Sequence, residues 1–218
     1  MAPRETIVTT NTVQSGAEGV EGVELVDDER TPEDQLPRRE QLLAVAAKLF
    51  HERGYHATRM DDIGEAAGIT GPGVYRHFRG KEEILETIAT EYGAPVLERA
   101  TQLAQEVEDP RAALARLADH YVATLLTHPA ISAVAIYERR TLRHETRAAI
   151  ERLERLHVEE WVHLLSRARP DISDGRARVM VHAVLSLGLS VCTYNSGLAD
   201  DVLRPLLTNM IILALQAE

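Results

Sequence analysis

The chain has 218 residues, a formal net charge of −10 and only 4% aromatic residues, with 44% hydrophobic residues overall. That length allows one large or two small domains with a sizeable core, and the Ala, Leu, Arg and Glu content favours helices over sheets. A single cysteine, Cys192, excludes an internal disulfide and suits a reducing cytoplasm.

The first 37 residues hold two Arg and nine acids, a net of −7, with no aromatic residue and no sustained apolar period. Such a segment buries too little surface to offset its ordering entropy, so 1–37 is predicted to be a disordered acidic extension. Its charge suits either competition with phosphate for a basic face or plain solubility. It lacks the basic-then-apolar order of a signal peptide.

The pattern changes at Arg38. Leu42, Leu43, Ala46, Leu49 and Phe50 recur at helical spacing and the run stops at Gly54. Thr58 is predicted to cap a second helix, with Asp61 completing a capping box and Ile63, Ala66 and Ala67 facing inward. Gly68 ends it. Thr70 caps a third helix with Pro72 in its first turn, where the missing N–H costs little. Val74 and Phe78, four apart, are expected to plug that helix into a small core. Two short helices joined by a tight Gly turn read as a helix-turn-helix, the second helix entering the DNA major groove. The charge agrees: 38–85 holds eight basic and seven acidic residues, whereas the remaining 133 residues net −4. DNA contact is therefore expected to be local to this region.

A long helix is predicted from Lys81 past Val96, with a kink at Gly93-Ala94-Pro95 because Pro95 removes a backbone hydrogen bond. Further helices are predicted from Asp109-Pro110 to His128-Pro129, from there to about Glu138, from 142 to 168, from 173 to 195 and from 199 to 216. The last two carry apolar residues on more than one face and so need more than one packing partner. The longest apolar stretch, about 179–192, is interrupted by His182 and is shorter than the ~18 residues of a span, so no membrane segment is expected. No strand pattern and no internal repeat is present. The fold class is all-α.

The residues Leu43, Ala46, Leu49, Phe50, Gly54, Tyr55, Thr58, Ile63, Ala67, Gly68, Ile69, Tyr75, His77, Phe78, Lys81 and Leu85 make 38–85 resemble the DNA-binding domain of the tetracycline-repressor (TetR) family. The resemblance implies an N-terminal three-helix helix-turn-helix domain at 38–85, followed at 86–218 by a six-helix ligand-binding and dimerisation domain. It implies a homodimer, paired through the last two helices with Ser186, Gly188 and Ser190 permitting close approach, on a pseudo-palindromic double-stranded operator. The expected activity is sequence-specific transcriptional regulation, as a repressor released by a small-molecule effector of apolar or acyl-CoA-like chemistry.

Lys81, Tyr75 and His77 are candidate phosphate contacts, joined by the helix starts at Thr58 and Thr70. Arg59 and Arg76 are the candidate base readers, since a bidentate Arg–guanine pair is worth about 1–3 kcal/mol of discrimination. Pro72 suits a thymine methyl, and Gly71 and Gly73 permit close backbone approach. Phe78 reads better as core. Candidate pocket residues, polar or aromatic on apolar helices, are Tyr92, His120, Tyr121, Tyr137, Trp161, Cys192 and Asn195, each of which also fits an ordinary core role. Arg140, with Arg139 and Arg143, suits either an acyl-CoA phosphate or a solvated face. The nine histidines lack the i,i+4 spacing of paired metal ligands, so no metal and no cofactor is expected. The competing readings are an enzyme using the C-terminal pocket, against which no catalytic motif appears, and a helical ligand-binding or interaction module without specific DNA binding.

Overall fold

The computed structural model describes residues 37–194 and 196–217, and among these every regular element is helical. The expectation for the acidic extension therefore falls almost wholly outside the described residues.

Helix α1 (Arg38–Arg53) buries Leu42, Leu43, Ala46, Ala47, Leu49 and Phe50 and ends at Gly54, whose φ of 87° favours glycine. Helix α2 (Met60–Ala66) starts one residue later than expected. Its N-cap is Arg59, and the Asp62 carboxylate accepts the Arg59 N–H at 2.7 Å. Thr58 is instead wholly buried, its hydroxyl meeting the carbonyls of Gly54 at 3.0 Å and Leu49 at 3.3 Å. The inward face of α2 is Met60, Ile63 and Gly64 with half-buried Ala67, while Ala66 faces solvent. The register follows the cap, one position on from the predicted one.

The α2 terminus is a Schellman turn. Gly68, at φ 67°, donates to Glu65 O at 3.1 Å, and the next amide, Ile69, donates to Gly64 O at 2.8 Å. A Cβ on Gly64 would lie 3.0 Å from Ile69 O, so glycine there lets the turn fold tightly onto the helix. Helix α3 (Gly71–Val74) has Thr70 at its N-cap, the Thr70 hydroxyl accepting the Gly73 N–H at 3.3 Å. Val74 and Phe78 are buried as expected.

Helix α4 (Lys81–Thr87) runs without a break into a π-helical segment, Ile88–Gly93, and then α5 (Ala94–Gln105). The expected proline kink takes this form. Pro95 has no N–H to give and its ring crowds the carbonyl four residues back, so the preceding turn widens to i→i+5 bonding. Helices α6 (Pro110–Thr127), α7 (Pro129–Tyr137), α8 (His144–Ala168), α9 (Asp174–Gly188) and α10 (Asp200–Leu215) complete the chain. The Asp109 carboxylate caps α6 by accepting the Ala112 N–H at 3.0 Å.

Two main apolar cores form. One joins α1–α4 and the π segment to Ile131 and Val134 of α7 and to Leu142 and Ile150 at the start of α8, so packing continues across residue 85. The other gathers α5, α6, α8, α9 and α10 around Leu117, Trp161, Leu164, Leu165, Val181 and Ile211. On α8 Leu156 is exposed and its neighbour His157 is buried.

Asp174–Cys192, 19 residues at mean hydropathy 1.2, is by length and composition long and apolar enough to cross a membrane, contrary to the sequence expectation. Its capped N-terminal turn, residues 174–178, extends the run beyond 179–192. One face of it, Ala177, Val181, Val184 and Gly188, is buried against the second core. Gly188 makes room inside the subunit, where a Cβ would overlap Tyr121 Cε1, so it is not a residue of the outer face.

Candidate nucleic-acid interface and effector cavity

Arg59, Thr70, Pro72, Tyr75, Arg76 and His77 all face solvent on the helix-turn-helix, and Gly71 and Gly73 lie half-buried between them. Tyr75 is 54% exposed, a large aromatic at the surface with no packing reason to be there. Among the described residues the Arg59 and Arg76 guanidinium groups have no acidic or hydrogen-bonding partner. Both charges are free for an anion or a base edge.

Two of the ten sequence candidates are placed differently. The Thr58 hydroxyl, buried and committed to carbonyls, is not available to a phosphate. Lys81 is tied into the protein: its Nζ donates to Tyr55 O at 2.9 Å, Thr58 O at 3.1 Å and His56 O at 3.2 Å, and lies 4.5 Å from the Tyr55 ring centroid. An ammonium has three donors, and all three are used. Lys81 therefore clamps the α1–α2 loop to the start of α4, and its remaining influence on DNA is its charge. The α3 N-terminus is not an open anion site either. A side chain at Gly71 would overlap Asp61 Oδ1, which shows that the carboxylate already lies against that turn.

A cavity of about 140 Å³ lies between the π segment, α5, α6, α7 and α8. Its wall is mostly apolar, with Val96, Leu97, Leu125, Ile131, Ile136 and Ile150, and with Tyr92, His120, Tyr121, His128 and His157 as its ring-bearing polar members. Of the pocket residues anticipated from sequence, Tyr92, His120 and Tyr121 line it. Trp161 sits behind His157, donating Nε1–H to His157 Nε2 at 3.1 Å. Cys192 is buried in a small cluster with Leu125 and Ala133, where burial raises its thiol pKa to about 11. Tyr137 is 54% exposed and Arg140 faces solvent, both off the cavity. Asn195 lies outside the described residues.

Among the titratable lining residues, His128, His157 and Glu154 were missed. His157 is 6% exposed, and burial pushes its pKa down to about 4, with a smaller contribution from His120. Its signal was positional: seven residues after Ile150 and four before Trp161, it belongs to the buried α8 stripe. Glu154, one turn earlier, lines the same cavity; burial raises its pKa against the opposing pull of Arg139, which donates to it at 2.7 Å. Among the described residues no group of three or more His, Cys, Asp or Glu is arranged to hold a metal.

The six-residue π segment touches both sites. Tyr92 and Gly93 wall the cavity, while the neighbouring Glu91 accepts from both guanidinium nitrogens of Arg39 on α1, at 2.7 and 2.8 Å. Farther up, the buried Glu86 carboxylate on α4 accepts the Arg143 N–H at 2.8 Å and the Thr146 hydroxyl at the start of α8. Burial alone would raise the Glu86 pKa, but these bonds and the Arg143 charge outweigh it and the net shift is downward. The helix start and the carboxylate stabilise each other.

Residues 42–88 match the family described as bacterial regulatory proteins, tetR family. The transcriptional repressor KstR2 of Rhodococcus jostii is 38% identical over 102 residues, which are 46% of this chain and 48% of that protein. The chain thus spans about half the length of this curated relative. The solved structure of the ketosteroid transcriptional regulator KstR2 of Mycobacterium tuberculosis superposes with a TM-score of 0.71 at 24% identity, covering 83% of this chain and 94% of that one. That of AibR in complex with isovaleryl coenzyme A and operator DNA is 26% identical with a TM-score of 0.64, covering 80% and 97%. These relatives are regulators and not enzymes. A helix-turn-helix with free surface arginines and the match over 42–88 identify that region with the DNA-binding domain of the tetR family of bacterial regulatory proteins, and the all-helical remainder is similar in fold to regulators of that family.

Proposed function

We propose that this protein is a homodimeric, sequence-specific DNA-binding repressor of the cytoplasm, released from a pseudo-palindromic operator by a small molecule held in the 140 Å³ cavity. Its DNA-binding domain is 38–85 and its ligand-binding and dimerisation domain is 86–218. The observation that carries the reading is the shared π segment. One short stretch of backbone contributes Tyr92 to the cavity and Glu91 to the α1 ion pair, so a ligand that repositions Tyr92 acts on the same turn that holds the DNA-binding unit. A ligand shifts the equilibrium only by its differential affinity for the two arrangements.

Dimerisation draws support from the outer faces of α9 and α10. Val179 on α9 and Val202, Leu206, Met210 and Leu213 on α10 are exposed large apolar residues, the α10 set spaced along one face. A contiguous apolar face of this kind fits a second copy of the chain, which brings two recognition helices to one duplex.

The effector is apolar in this reading, since the cavity wall is. AibR was solved with isovaleryl coenzyme A, which raises an acyl-CoA effector as a second reading. The basic run offers that reading little. Arg139 is bound to Glu154 and Arg143 to Glu86, leaving Arg140 as the freer cation of the three.

Fluorescence anisotropy with the duplex upstream of its own coding sequence tests the proposal. Specific binding exceeds that to random duplex by about 10³-fold or more, weakens with salt, and is lost in Leu206→Glu as sedimentation reports a monomer. Equal affinity for both duplexes at every salt concentration refutes it.

A further inference from the structure

Three exposed arginines of the helix-turn-helix have guanidinium groups without a partner among the described residues: Arg59 at the start of α2, Arg76 just after α3, and Arg79 before α4. Neighbouring carboxylates are committed elsewhere. Asp62 accepts the Arg59 N–H at 2.7 Å, Glu83 accepts the Arg79 N–H at 2.6 Å, and Asp61 lies against the α3 turn at Gly71.

The chain enters this unit beside its turn. Arg38, the first residue of α1, donates Nη1–H to Ala67 O at 3.2 Å, the carbonyl just before Gly68 in the α2–α3 turn. The residues ahead of Arg38 therefore begin within one arginine side chain of that turn. They are acidic: 18–34 holds eight carboxylates and one arginine, a net of −7. At ~3.3–3.6 Å per residue of extended chain, the stretch from Arg38 back to Glu18 reaches up to about 70 Å. Arg76, nine residues after Ala67, lies within about 32 Å of it by the same measure. Reach is ample. The basic run at the α8 start is a poorer target, since Arg139 and Arg143 are already paired with Glu154 and Glu86.

We propose that residues 18–34 dock on this arginine face and compete there with duplex phosphate, so that the chain carries its own brake on DNA binding. This rests on the DNA-binding reading above and adds a regulator of the same face. Single exposed ion pairs contribute little, but a tethered segment meets its site at an effective concentration on the order of 1 mM. Phosphate binding to the same arginines is itself electrostatic, so both contacts draw on one set of charges. Salt screens the docked state, over ~10 Å at 0.1 M and ~3 Å at 1 M.

Paramagnetic relaxation on the full-length protein without DNA tests docking. A nitroxide attached through Ser15→Cys labels the segment alone, because native Cys192 is buried. At low ionic strength it broadens the amide signals of Arg59, Tyr75 and Arg76 and spares those of α10, and either 1 M salt or added random duplex relieves the broadening. A second variant replaces the eight carboxylates of 18–34, all ahead of α1, by their amides. It loses the broadening and binds random duplex about 3- to 10-fold more tightly at low salt, a gain that fades as salt rises. Tighter binding when the wild type shows no such broadening is long-range repulsion by net charge, and overturns docking. Unchanged duplex affinity in the amide variant, or signals that broaden evenly or not at all, also overturns it. If neither protein binds any duplex at low salt, the DNA-binding reading falls and the competition falls with it.

Discussion

Replacing Lys81 by Met keeps the aliphatic stem and deletes the ammonium, leaving three carbonyls of the α1–α2 loop (Tyr55, His56 and Thr58) without their donor. The contact with the Tyr55 ring goes with it. Hydrogen bonds to a charged group contribute about 1.5–3 kcal/mol each when buried, but Lys81 is half-exposed and water replaces part of what is lost. The net cost is about 2–3 kcal/mol. For a folded unit of this size that lowers Tm by roughly 5–10 °C. Thermal unfolding followed by circular dichroism, without DNA, measures it. Lys81→Arg does not restore the loss, because a planar guanidinium cannot aim three donors at three converging carbonyls. If Lys81→Met melts with the wild type while binding all duplexes more weakly, the side chain serves phosphate and not the loop, and the clamp is refuted.

Arg59→Ala relaxes sequence preference by about 1–3 kcal/mol at the operator position it reads and leaves Tm unchanged, since its guanidinium holds nothing within the subunit; a base-substitution binding series checks it. Pro95→Ala allows regular α-helical bonding through 88–93, and so alters effector response more than DNA affinity without effector; equal loss of both in anisotropy titrations removes the π segment from transmission. For His157 the folded pKa of about 4 lies below the ordinary 6.5, so the unfolded chain binds the proton first and stability falls as pH drops through that window. The loss reaches about 3 kcal/mol near pH 4, and His157→Phe flattens its share of the slope in urea titrations across pH 7 to 4.

The helix-turn-helix was legible because its signals are short-range. Gly54 and Gly68 stand where φ turns positive, Thr70 caps α3, and Val74 with Phe78 fills the core, each within a few residues of its partner. The α2 register was off by one because Thr58 has the side chain of a cap and Arg59, the actual N-cap, does not. Burial of the Thr58 hydroxyl under α1 carbonyls decides it. The pocket was half legible: Tyr92, His120 and Tyr121 stood out as polar or aromatic on apolar helices, whereas His157 is recognised only by its spacing from Ile150 and Trp161 on α8.

From the sequence alone come the all-helical class, the positions of the breaks and caps, and the family likeness, all properties of neighbouring residues and their periodicity. Tertiary approach decided the rest. Lys81 finds its carbonyls 23 to 26 residues away and Glu86 meets the α8 start 57 to 60 residues on. Which charge is a clamp and which is free for DNA depend on where distant backbone brings its donors and acceptors. No local pattern encodes those distances.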